Sequence, residues 1–227
     1  MTIEQEKVFK HLSQFVSDHK KGFVEKVLGQ RTRYVTVVLE NIYQSQNASA
    51  AVRTCECMGL QDIHIIEDTA QYHLNIRVLK GSYKWMNLER YHAKEVNNTE
   101  KCFDHLRSQG YRILVADPAE DGVPVDELDV SSGKIALVFG NELHGASAYS
   151  LHHADKKIRI PMFGFTESLN VSVSVAIFLN TILGKLRQTN ANITLSEEEK
   201  DLIRLAWFRK IVRRSDVVER EFLRTIE

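Results

Sequence analysis

No apolar run in the 227 residues approaches the ~18 that a membrane helix needs. The opening MTIEQEKVFKHLSQF also lacks the basic-then-apolar pattern of a secretory signal. Cysteine is scarce: Cys55, Cys57 and Cys102. An odd count with a lone C-x-C and no nearby Cys/His cluster supplies neither a disulfide framework nor a zinc site. No metal is therefore expected, and a reduced, cytoplasmic compartment is. Net charge is also missing, since 30 basic residues balance 30 acidic ones. The chain as a whole thus has no electrostatic bias toward nucleic acid. No G-x-G-x-x-G follows any predicted strand, which argues against a dinucleotide enzyme.

What is present is local. Residues 71–94 carry Arg77, Lys80, Lys84, Arg90 and Lys94 against the single acid Glu89, interleaved with Tyr72, Tyr83, Trp85 and Tyr91. Between Leu202 and Ser215 stand Arg204, Arg209, Lys210, Arg213 and Arg214, with no acid. Cations suit phosphates and flat rings suit unstacked bases, so both stretches fit RNA. Taken alone, the two stretches read more simply as solvated faces.

Hydrophobic periodicity alternates strand and helix. Val8, Leu12, Phe15 and Val16 share one face of a helix over 3–20, and Phe23–Leu28 reads as a second, ending at Gly29. Tyr34–Leu39, Asp62–Ile66, Arg112–Ala116, Lys134–Phe139 and Lys157–Ile160 read as strands. Ala48–Met58, Thr99–Gln109 and Ala146–Ala154 read as helices, the first with Asn47 as its N-cap. Asn170–Leu186 stays open. NVSVSVAIF alternates with the period of a strand, yet Val171, Val175, Phe178 and Ile182 are spaced for a helix. Residues 196–224 read as one helix behind a capping box of Ser196 and Glu199. Alternating strands and helices predict an α/β fold with a parallel sheet covered on both faces. The expected organisation is an N-terminal helical extension (1–33), a central domain (34–188) and a C-terminal helical extension (189–227).

Three blocks place polar residues at the carboxyl ends of predicted strands, where open α/β sheets bind ligands. They are Leu39-Glu40-Asn41 with Asn47 and Arg53, then Phe139-Gly140-Asn141-Glu142 with Gly145, then Ile160-Pro161-Met162-Phe163-Gly164 running to Ser168-Leu169-Asn170-Val171-Ser172-Val173. Singly, each has an ordinary structural use as a cap or a turn. Together they resist that explanation, because SLNVSV alone arises by chance about once in 10⁷ start positions.

The stretch LENIYQSQNASAAVRTCECMGL resembles the first signature of the SpoU/TrmH methyltransferases, a branch of the knotted SPOUT superfamily. LVFGNELHG resembles the second and IRIPMFGFTESLNVSVSVAIFL the third. GSYKWM and the approach EKVLGQRTRYVTVVLEN are similar to stretches of the members that modify tRNA guanosine 18. The similarity runs from about residue 24 to 188.

The resemblance implies a SPOUT-type parallel sheet with a C-terminal trefoil knot, flanked by N- and C-terminal helices, and a homodimer. It implies that S-adenosylmethionine is held at Ala116, Gly140, Ile160 and Leu169. Ala116 stands where the guanosine-18 members often carry Thr. The implied reaction is attack of a ribose 2′-oxygen on the sulfonium methyl, which needs approach to ~3–3.5 Å and loss of the hydroxyl proton. Arg53 is the implied catalytic residue, with Asn47, Glu142, Ser168 and Asn170 shaping its surroundings in one pocket. Because a guanidinium does not deprotonate in proteins, Arg53 equally serves by holding a phosphate or water that takes the proton.

The implied substrate is tRNA at its D-loop guanosine, with Lys84, Arg90, Arg209, Lys210 and Arg213 as its footprint. The alternatives are a ribosomal-RNA 2′-O-methyltransferase of the same family and a non-catalytic RNA-binding relative. Neither a DNA nor a membrane partner is expected.

Overall fold

The computed structural model describes residues 1–73, 75–189 and 191–226, which form two compact units: Thr32–Ile193, and Met1–Arg31 together with Thr194–Glu227.

The larger unit is built on seven strands: β1 Val35–Glu40, β2 Asp62–Ile66, β3 Asn87–Tyr91, β4 Tyr111–Ala116, β5 Val123–Pro124, β6 Lys134–Phe139 and β7 Lys156–Arg159. Their order across the sheet is β3-β2-β1-β6-β4-β7-β5, and every pairing between them is parallel. The central strand β1 is buried along its whole length, as a strand covered on both faces must be.

Side-chain parity then sorts the core into two layers. Val35, Val37 and Leu39 of β1, with Ile135, Leu137 and Phe139 of β6, face helices α3 (Ser45–Cys57) and α7 (Val171–Leu186). Val38, Ala136 and Val138 face the other way, onto Cys102, Phe103 and Leu106 of α5 (Asn98–Ser108) and Tyr149 of α6 (Ala148–His153).

Several expectations change. Asn170–Leu186, ambiguous by periodicity, is the helix α7. Asn170 caps it, and its buried face runs Val171, Val175, Phe178, Leu179, Ile182, Leu183 and Leu186. The cap of α3 is Gln44, not Asn47, which sits inside the first turn. The basic, aromatic stretch contains three elements that periodicity left unassigned: α4 (Ile76–Leu79), a 3₁₀ turn (Ser82–Trp85) and the edge strand β3. Leu74, in the same stretch, lies outside the described residues.

The smaller unit joins helices from both ends of the chain: α1 Ile3–Ser13, α2 Asp18–Leu28, α8 Glu197–Ile211 and α9 Ser215–Ile226. The single helix expected over 3–20 breaks after Ser13, and Ser17 caps its successor by accepting the Lys20 amide. The helix expected over 196–224 breaks at Arg214, whose φ of 55° is left-handed. The Ser196/Glu199 capping box is formed. The ends are joined by His11 stacked on Phe222 at 4.2 Å and by Arg204 gripping the Glu25 carboxylate at 2.6 and 2.8 Å. Among the described residues, no helix is long and apolar enough to cross a membrane.

Candidate functional site

At the carboxyl edge of the parallel sheet lies a cavity of about 620 Å³. Ligands collect there in open α/β sheets because strands end and loops diverge at that edge. Four segments build it: the end of β4, the loop after β6, the passage from β7 to α7, and the first turn of α3. Ala116, Gly140, Ile160 and Leu169 all line it, as do Asn47, Glu142, Ser168 and Asn170. Eight of the nine residues read from the sequence as catalytic or cofactor-binding therefore meet in one place.

Three of them form a directed chain. Glu142 accepts hydrogen bonds from the backbone amides of Tyr43 and Gln44, at 2.9 and 3.3 Å, and from Asn47 Nδ2 at 2.9 Å. It therefore serves as an N-terminal cap for α3 supplied from a different loop, a favourable place for a negative charge. Donation to a carboxylate fixes which end of the Asn47 amide is nitrogen. Its Oδ1 is left to accept from Asn170 Nδ2 at 3.1 Å. The Asn170 Oδ1 in turn accepts from the amide and hydroxyl of Ser172, at 2.9 and 2.7 Å. Burial alone would raise the Glu142 pKa. The bonds from Asn47, from its own backbone and from Tyr43 and Gln44 outweigh that and hold it below the usual carboxylate value.

The wall after β6 is pinned as tightly. Asn141 and Gly145 exchange both backbone hydrogen bonds at 2.8 Å, and Asn141 Nδ2 donates to the Asn41 carbonyl at 2.7 Å. A Cβ on Gly140 would lie 2.1 Å from the Ala146 nitrogen, so only glycine lets the loop close against its own strand. Glu40, Asn41, Gln44 and Asn141 were not singled out from the sequence as site residues. Their signal was positional: Glu40, Asn41 and Asn141 stand inside the strand-end blocks.

Arg53 corrects the expectation of one shared pocket. Its side chain does not line the cavity. It is exposed, and Nη1 donates to the Val78 carbonyl at 3.4 Å. Six residues are about one and two-thirds turns, which swings Arg53 roughly 120° around α3 from Asn47.

The basic residues also divide. Arg90 forks onto Glu67 with two bonds of 2.7 Å, and Arg209 forks onto Glu219 at 2.9 and 2.5 Å, so carboxylates already match both charges. Lys84, Lys210 and Arg213 are exposed.

A parallel α/β sheet with a polar network at its carboxyl edge defines a class of ligand-binding α/β proteins, and the sequence narrows it further. The pattern of the SpoU rRNA Methylase family matches residues 34–180, and the chain belongs to that family. The tRNA (guanosine(18)-2'-O)-methyltransferase of Borreliella burgdorferi is 42% identical over 208 residues, covering 92% of this chain and 93% of the relative. The crystal structure of the A. aeolicus TrmH/SpoU tRNA modifying enzyme superposes with a TM-score of 0.74 at 30% identity, covering 87% of this chain and 98% of that one. An AdoMet-bound rRNA methyltransferase from Sinorhizobium meliloti shares the fold, with a TM-score of 0.61 at 22% identity, over 69% of this chain and 58% of that one.

Proposed function

We propose that the chain methylates the ribose 2′-hydroxyl of guanosine 18 in tRNA, using S-adenosylmethionine. The observation that carries this reading is the convergence of the four expected cofactor positions and the Glu142–Asn47–Asn170 chain on one cavity. The residues suit that cofactor. About 620 Å³ falls within the range of small-molecule sites. Ile160, Met162, Leu169 and Phe178 offer apolar walls for a purine, and Gly140 removes the side chain that would hold the loop off. Bound there, the cofactor supplies an electrophilic methyl group.

The chain's own residues do the positioning. Glu142 holds Asn47, and Asn47 and Asn170 brace each other at the mouth of α7, presenting amide and hydroxyl groups toward an incoming ribose. Arg53, standing outside the cavity, meets the substrate from its phosphate side and orients the group that takes the hydroxyl proton.

Three further parts belong to this reading. The passage from β7 into α7 is the trefoil knot. The working form is a homodimer: Leu143 is 76% exposed, Phe163 98% exposed and Phe165 fully exposed, all beside the cavity, an apolar surface more typical of an interface than of a monomer. Residues 34–188 form the catalytic domain, and the extensions 1–33 and 189–227 engage tRNA through Arg209, Lys210 and Arg213, with Lys84 and Arg90 contributed by the catalytic domain. The compartment is the cytoplasm, in keeping with three free cysteines.

Incubating the purified protein with unmodified tRNA and methyl-labelled cofactor, then mapping the label, tests the proposal. Label on the ribose of guanosine 18 supports it. Label on a different nucleotide or off the ribose, or no transfer at all, rejects it.

A further inference from the structure

Glu40 ends β1 with a side chain 1% exposed and outside the cavity lining. Its carboxylate accepts four hydrogen bonds from neutral donors: the Thr99 and Ser150 hydroxyls at 2.8 Å, the Ser147 hydroxyl at 2.7 Å and the Ser147 amide at 2.9 Å. Enclosing a carboxylate is costly unless its lone pairs are filled, and charge-assisted bonds of this kind are the stronger ones. Their direction matters more here than their number. Thr99 and Ser150 belong to α5 and α6, whereas Ser147 is the last residue of the loop that forms one cavity wall.

We propose that Glu40 is a positioning residue for the cofactor pocket, setting the 140–147 wall through Ser147. The proposal rests on the reading above that this cavity takes S-adenosylmethionine. Ser147 follows Ala146, whose backbone would overlap any side chain at Gly140. A shift of Ser147 therefore moves Gly145 and Ala146 relative to the strand end. The other end of the loop hangs on the residue that follows the strand, through Asn141 Nδ2 and the Asn41 carbonyl. Adjacent residues at the carboxyl end of β1, its last residue and the one after it, thus clamp both ends of the loop, and Glu142, which sets Asn47, stands between the clamps. A glutamine at 40 would turn an N–H toward one of these donors and lose the charge that strengthens the rest.

The test compares Glu40→Gln and Ser147→Ala with Leu106→Ala, a buried α5 change that lowers stability at a position outside the loop. Amide hydrogen exchange of the ligand-free proteins is read first. Exchange over 140–147 is expected to rise about tenfold in Glu40→Gln and Ser147→Ala, the factor one lost hydrogen bond to a charged group implies. In Leu106→Ala, exchange should rise elsewhere and leave the loop alone. Titration with S-adenosylmethionine should then show a similar loss of affinity in the first two variants, with tRNA affinity kept.

Loop exchange at the wild-type rate, or a rise spread evenly through the sheet, overturns the proposal, as does unchanged cofactor affinity in both variants. A wild-type protein that takes up no cofactor sinks the proposed function, while the exchange data still decide whether Glu40 anchors the loop. Should Glu40→Gln fail to fold, Ser147→Ala carries both measurements.

Discussion

The side-chain amide of Asn170 donates to the Asn47 oxygen at 3.1 Å, joining two residues 123 positions apart in the chain. Asn170 caps α7 and Asn47 lies in the first turn of α3, so this one bond locks together the helices that cover one face of the sheet at the cavity.

Asn47→Ala removes the donor to Glu142 and the acceptor for Asn170 together. Loss of a hydrogen bond to a charged group is worth about 1.5–3 kcal/mol, so initial rates of tRNA methylation should fall roughly ten- to hundredfold. Rates equal to wild type would remove Asn47 from the machinery.

Glu142 makes the α3 contact sensitive to acid. Its pKa is held below the usual value in the fold. Such a carboxyl contributes stability that is complete above its unfolded value, about 4.3, and lost as pH falls through the folded value. In wild type, stability should therefore decline through and below that range. Glu142→Gln should be less stable at neutral pH but decline less steeply in acid. Urea unfolding at pH 7 and at lower pH values measures the difference. Parallel declines in the two proteins would contradict the assignment.

Gly140→Ala places a methyl group against backbone that cannot rotate away. Overpacking of this kind costs about 1–3 kcal/mol. Thermal unfolding should register that loss, and cofactor affinity should drop because Gly140 lines the cavity. An unchanged melting temperature would mean the loop is looser than its contacts indicate.

Arg90→Ala leaves the Glu67 carboxylate, only 1% exposed, without its fork. With Arg90 itself partly exposed, the cost should be about 1–3 kcal/mol. Adding Glu67→Gln should recover part of it, as read by urea unfolding. Undiminished stability with weakened tRNA binding would instead leave Arg90 to the RNA footprint alone.

Arg53→Lys keeps the charge and loses the planar fork. If Arg53 orients a phosphate or water beside the reacting hydroxyl, kcat should fall about tenfold or more, as expected for loss of one oriented donor. Single-turnover rates near wild type would leave only its charge in use.

Much of this protein was legible before folding. The apolar-rich stretches 34–39 and 134–139 read as strands, and their alternation with helices predicted a parallel sheet covered on both faces. The strand-end blocks marked where a ligand would go. Periodicity reports what a residue's near neighbours favour, and there it sufficed.

The tertiary structure decided what depends on distant partners. Strand order sets β6 beside β1, although more than ninety residues separate them, and that pairing brings Ser147 to Glu40 and Asn141 to Asn41. Packing against α3 made 171–186 a helix where alternation also allowed a strand. The helical turn between Asn47 and Arg53 sent one side chain into the cavity and the other out of it. Local propensities act over a few residues, while hydrogen bonds and burial act wherever the sheet brings chains together, and only the folded molecule contains that second set.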